Sequence, residues 1–184
     1  MLTARVLWAG AAFLTAALGA AAATGPDPVV SVRERGGAYI VAARFSVTAP
    51  ASVVRNVLTD YANIPRFMPG VETSRVLDSV DGVVRVEQEA VSKYMLFSRR
   101  VHLVLDVEES PGVIRFRDRC ARSFDQYEGA WTIEPGGGMT DISYELTARP
   151  AFGVPGFVLR RLLDRDARLM IDGLRAEIAA RPAP

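Results

Sequence analysis

Five polar side chains stand where they could handle a substrate: Gln88, Arg99, Asp118, Tyr127 and Tyr144. Gln88, Arg99 and Asp118 share the parity of the apolar residues in their strands, so they point to the apolar side. A few polar groups held there could orient a substrate and move its protons. A buried Arg or Asp needs a partner, and an Arg99–Asp118 pair would supply one. A β-bulge that shifts the register would instead expose both. His102, the only histidine, falls on the parity opposite Leu103 and Leu105 and is expected in solvent. Cys120, the only cysteine, reads as a small buried hydrophobe. HxxxH, CxxC and clustered carboxylates are absent, so no metal is expected. GxSxG and phosphate-loop patterns are absent too, and no cofactor is implied. Gly136-Gly137-Gly138 reads as a hairpin turn.

The elements that must position these residues are mostly strands. Val29 to Arg33 and Tyr39 to Thr48 flank a Gly36-Gly37 turn. Pro50 then opens a helix whose Val53, Val54, Val57 and Leu58 share one face. Asp60 to Pro69 follows, and its two prolines allow only a short helical turn and a loop. From Val71 to Arg149 residues alternate apolar and charged, with turns at Asp81-Gly82, Pro111-Gly112 and Gly136–Gly138. That period of two describes an antiparallel meander with one apolar face and one wet face. Pro155 to Ala180 reads as a helix with an apolar stripe through Leu159, Leu162, Leu163, Asp166, Leu169, Met170, Leu174 and Ile178. Arginines fill the rest. The stripe is expected to cover the sheet, although a basic amphipathic helix also suits transient membrane contact.

The chain has 184 residues, 49% of them apolar, enough for one domain with a sizeable core. Arg5, the uncharged run from Val6 to Ala23 and the ending Ala21-Ala22-Ala23 describe a signal peptide over residues 1–23. Export to the periplasm or medium follows from that reading. An uncleaved inner-membrane anchor over residues 6–23 is the alternative, and would make the chain a tethered interaction module. Residues 24–37 form an entry segment with the first strand, and residues 38–182 the folded domain. With 22 basic and 21 acidic residues, charges balance once Arg5 is removed, which argues against nucleic acid as a partner. One cysteine allows no internal disulfide, so the core must hold the fold alone.

Phe45-Ser-Val-Thr-Ala-Pro50, then Thr59-Asp60-Tyr61 with Pro65, Phe67 and Pro69, resembles the opening of the SRPBCC (START-like) superfamily. Tyr127-Glu128-Gly129-Ala130-Trp131 is similar to the G-x-W strand of its polyketide cyclase/dehydrase and coenzyme-Q-binding branch. The resemblance covers about residues 38 to 180. It implies an α+β helix-grip fold: a curved antiparallel sheet wrapped around a long C-terminal helix, with a short helix/loop lid after the first strands. It also implies an apolar cavity between sheet and helix. Val84, Val86, Gln88, Phe97, Leu103, Leu105, Phe116 and Tyr144 would line it, with Tyr61, Phe67, Met68 and Phe157 at its mouth. The expected partner is a hydrophobic small molecule of the lipid, quinone or polyketide kind. The expected function is an exported binding protein, with a cyclase/dehydratase-type enzyme as the alternative.

Overall fold

Alternating sequences build eight strands, and the computed structural model describes them within residues 26–94 and 97–182. The signal-peptide reading of residues 1–23 lies outside the described residues. The strands are β1 (Val29–Arg35), β2 (Ala38–Val47), β3 (Val71–Val80), β4 (Val83–Tyr94), β5 (Phe97–Ser110), β6 (Val113–Asp118), β7 (Phe124–Pro135) and β8 (Thr140–Pro150). They form one sheet in the order β1-β2-β8-β7-β6-β5-β4-β3. Every neighbouring pair is antiparallel. From β3 to β8 the chain is a meander, as its period of two requires. Closure comes from β2, which crosses to pair with β8 from Tyr39↔Ala148 to Val47↔Thr140. The entry strand β1 joins the same sheet through Val29↔Arg44 to Arg35↔Ala38.

Turn chemistry sets the register. At the β3–β4 hairpin Asp81 and Gly82 both take positive φ, 52° and 78°, the geometry that matches strand twist in a two-residue loop. Arg85 on the wet face of β4 donates to Asp106 on β5 and to Asp78 on β3, both at 3.0 Å. These cross-strand pairs help fix the register of β3, β4 and β5.

Helices α1 (Ala51–Leu58), α2 (Ile64–Phe67) and α3 (Gly156–Ala180) cover the apolar face. Pro50 sits one residue before α1 rather than in its first turn, and its carbonyl accepts from the Val53 and Val54 amides. Val53, Val54, Val57 and Leu58 are all buried. A single 3-10 turn, Tyr61–Asn63, joins α1 to α2, and Pro65 lies in the first turn of α2. Helix α3 buries Val158, Leu159, Leu162, Ala167, Ile171, Leu174 and Ile178. Of the expected stripe Leu159, Leu162, Leu174 and Ile178 are buried, whereas Leu169 is exposed and Ile171 takes a fully buried place beside them. Asp166, expected within the stripe, faces Ser92 of β4, whose hydroxyl donates to it. Burial pushes the Asp166 carboxyl above its ordinary pKa. No helix among the described residues is long and apolar enough to cross a membrane.

Candidate ligand cavity

Between the sheet and its helical cover lies a cavity of about 90 Å³. Its floor is the apolar parity of five strands: Val86 and Gln88 on β4, Leu105 and Val107 on β5, Ile114 and Phe116 on β6, Tyr127 and Trp131 on β7, and Tyr144 on β8. Leu58, Tyr61, Ile64 and Met68 roof it from the α1–α2 segment, and Met170 from α3. The rings stack into one wall. Trp131 and Tyr144 have centroids 4.4 Å apart, and Phe116 stands 6.0 Å from Tyr127 and 6.2 Å from Tyr144. Gly129, between Tyr127 and Trp131 on the same parity, leaves the space the Phe116 ring occupies.

Among the described residues no ionised side chain lines this cavity. Its polar groups are phenols, an indole and one carboxamide. The hydroxyls of Tyr127 and Tyr144 are hydrogen-bonded. Burial raises both, Tyr127 to about 12, while the bond between them lowers Tyr127 and raises Tyr144. Gln88 donates to the Ser74 hydroxyl at 3.3 Å. At the rim, Tyr61 donates to Glu109 at 2.8 Å, and Arg55 donates to the other oxygen of that carboxylate at 2.9 Å. Burial, first, and Glu109, second, hold the Tyr61 phenol far above its ordinary pKa.

The structure gathers Tyr61, Met68, Val86, Gln88, Leu105, Phe116, Tyr127 and Tyr144 around the cavity. Leu103 and Phe67 are buried in the core beside it, and Val84 packs against that core, but none of the three lines it. Phe97 is described by its backbone, which pairs with Tyr94. Phe157 is 69% exposed, away from the mouth, because the first turn of α3 turns Val158 and Leu159 inward instead. The expected Arg99–Asp118 pair is replaced by two separate roles. Arg99 is exposed at the start of β5, where its inward direction meets the Phe152 ring, 4.3 Å from the guanidinium carbon. Asp118 accepts from the amides of Val104, Cys120 and Ala121, and so closes the turn after β6. Neither reaches the cavity. His102 is not in open solvent; it lies within 3.7 Å of Glu87 and 3.8 Å of Glu89 on the outer face. Cys120 is half-buried with Sγ 3.2 Å from Asp118 Oδ1. Among the described residues no group of three His, Cys, Asp or Glu could hold a metal.

Leu58, Ile64, Val107, Ile114, Trp131 and Met170 also line the cavity, beyond the lining residues expected from sequence. The G-x-W pattern carried the signal for Trp131, since Gly129 and Trp131 share the parity of Tyr127.

The roof is tied down at its first residue. Arg181, just beyond α3, donates to Asp60 at 2.6 Å and contacts Glu177 at 3.0 Å. Its hydrogen bond, with a second from Asn63, holds the Asp60 carboxyl below its ordinary pKa. A depressed carboxylate stabilises the fold above its unfolded pKa and stops doing so as pH falls through its folded pKa. Asp60→Asn is therefore expected to cost about 0.5–1 kcal/mol at pH 7. The deficit should be full above roughly pH 5 and vanish in acid below the depressed value. Urea midpoints for both proteins from pH 7 to pH 3 check this; a deficit independent of pH would refute the ion pair.

Similarity to known proteins agrees with this architecture. No curated protein sequence is significantly similar to the chain. Among solved structures, TTHA0849 of Thermus thermophilus superposes with a TM-score of 0.66 at 23% identity, over 77% of this chain and 97% of that one. A START superfamily protein of Mycobacterium smegmatis gives 0.67 at 15% identity, over 76% and 96%. The Zhui aromatase/cyclase of Streptomyces sp. R1128 gives 0.66 at 16%, over 77% and 93%. At these identities the likeness establishes the helix-grip fold. The family model described as "Polyketide cyclase / dehydrase and lipid transport" matches residues 47–175, most of the chain, and so the chain belongs to that family.

Proposed function

We propose that this protein, once exported, binds an apolar small molecule of the lipid or quinone class between its sheet, lid and C-terminal helix. The observation that carries this reading is the lining: aliphatic and aromatic side chains, two methionines and, among the described residues, no ionised group. Such walls favour an apolar body, and the two buried phenols favour one carbonyl or hydroxyl oxygen on it. Ligand pockets run to about 300–1,000 Å³, so a cavity of about 90 Å³ is the closed form. Entry requires the Asp60–Pro69 roof to lift. Export is supported by the apolar run from Val6 to Ala23.

The test is extraction of the purified protein with organic solvent, followed by mass spectrometry and melting with quinones and fatty acids. A ligand at a hundredfold excess over its Kd should raise the melting temperature by about 5–10 °C. An empty extract and no shift would sink the proposal. An exported protein that starts near residue 24 supports release; an intact N-terminus in the membrane fraction would replace release by tethering.

A second reading, a cyclase/dehydratase-type reaction in the same cavity, is favoured by one feature, the hydrogen-bonded pair of buried phenols Tyr127 and Tyr144. There Tyr127→Phe would abolish turnover of a polyketone while leaving its binding within a few-fold. In a carrier the same change would weaken binding about tenfold, the loss of one buried hydrogen bond.

A further inference from the structure

The sheet has two edges, and they are built differently. At β3 the ladder is broken by irregularities at Val71/Thr73 and Val76/Asp78. Bulges of this kind blunt an edge against pairing with another chain. At β1 all seven residues pair with β2 without a register shift. Its other side is paired with no described strand. Beside that side runs a groove of about 550 Å³, walled by Val30–Arg33 and by Phe157, Arg160, Arg161 and Asp164 of α3. Four consecutive β1 residues line it, so it follows the backbone edge and not one face of the strand.

The groove is electropositive. Asp164 is occupied by Arg168 at 3.1 Å. Glu34 turns to the Tyr39 hydroxyl and is outside the groove. Arg33 and Arg160 form no ion pair among the described residues and are exposed. Phe157, also exposed, offers an apolar contact on the same wall.

We propose that the groove between β1 and α3 is a strand-addition site for an extended acidic segment of a partner protein. Main-chain hydrogen bonds to β1 would supply affinity, and carboxylates facing Arg33 and Arg160 the preference for acidic sequences. A second copy of this chain fits poorly, because joining two β1 edges brings the two arginine sets together. A lipid surface would meet protruding anchors, whereas this site is concave.

The test pans a displayed library of random twelve-residue peptides on the full-length chain, with the R33E/R160E double variant as counter-selection. Acidic peptides should be enriched, bind the double variant at least tenfold more weakly, and weaken with added salt. They should slow amide exchange in β1 and leave β3 unchanged. Both substituted residues are exposed, so the variant should melt like the parent; if it does not, salt dependence and β1 protection in the parent decide. No enrichment, enrichment without charge preference, or protection absent from β1 each overturns the proposal. So does binding to phosphatidylglycerol vesicles that the peptides do not displace. Ligand extraction reads the cavity independently, so failure here leaves that reading intact.

Discussion

Gly129→Ala is expected to destabilise the protein by about 3 kcal/mol or more, the upper end for overpacking a core. A Cβ at this position would stand 2.1 Å from the Glu145 carbonyl oxygen and 2.7 Å from Phe116 Cζ. The first contact is with backbone, so relief requires β7 to move off β8, which breaks a ladder that runs from Phe124↔Pro150 to Pro135↔Thr140. The second is with a ring, so relief there drives Phe116 into the cavity it lines. Either route damages both the fold and the site. Urea unfolding measures the loss, and Gly137→Ala in the β7–β8 turn is the control. A Cβ there meets nothing within 4 Å, so its effect should stay within about 0.5 kcal/mol. Equal stabilities for the two variants would show that β7 and β8 do not approach as described.

Gly129 also shows what the sequence makes legible. Alternation along β7 tells that Tyr127, Gly129, Trp131 and Ile133 point one way, and the family resemblance places a cavity on that side. The same reasoning put Val86, Gln88, Leu105, Phe116 and Tyr144 together, and the structure does bring them to one cavity. Parity states direction but not reach. Arg99 and Asp118 have the inward parity of Leu103 and Ile114, yet both lie at strand ends. There the inward direction leads to Phe152 in one case and to backbone amides of a turn in the other. A similar limit governs α3. The expected stripe holds at Leu159, Leu162, Leu174 and Ile178, but it omits Ala167 and Ile171, which are buried, and includes Leu169, which is exposed. Gly173 lets the Phe67 backbone come close, so the contact face also runs through a residue with no side chain to count. Small residues mark contact faces as surely as leucines do, and the hydrophobic pattern alone gives them little weight. Phe157 lies outside because its neighbours Val158 and Leu159 take the inward positions of the first turn.

Gly173→Ala puts two known effects in opposition. In a helix interior, alanine is more favourable than glycine by about 0.5–1 kcal/mol, which predicts a gain. A Cβ on Gly173, however, would lie 2.0 Å from the Phe67 carbonyl oxygen and 3.3 Å from Pro69 Cδ. Overpacking of that severity costs about 1–3 kcal/mol, so the clash wins and the variant should lose about 1–2 kcal/mol net. The loss has a particular location. Helix α3 is anchored by Ile171, Leu174 and Ile178, all at most 2% exposed, whereas the roof is a short segment. The roof will yield first, carrying Ile64 and Phe67 out of their buried seats and parting Asp60 from Arg181. Ligand exchange should then quicken at least tenfold, and proteases should cut between Asp60 and Pro69. The roof's own ties make a sharper criterion. If Gly173→Ala already lifts the roof, Asp60→Asn has little left to break, and the double variant should lose less than the two single losses combined. Strictly additive losses, with exchange and cleavage unchanged, would mean that the strain is absorbed within α3. The Asp60–Pro69 segment would then be fixed wall, and a ligand larger than the closed cavity would need another way in.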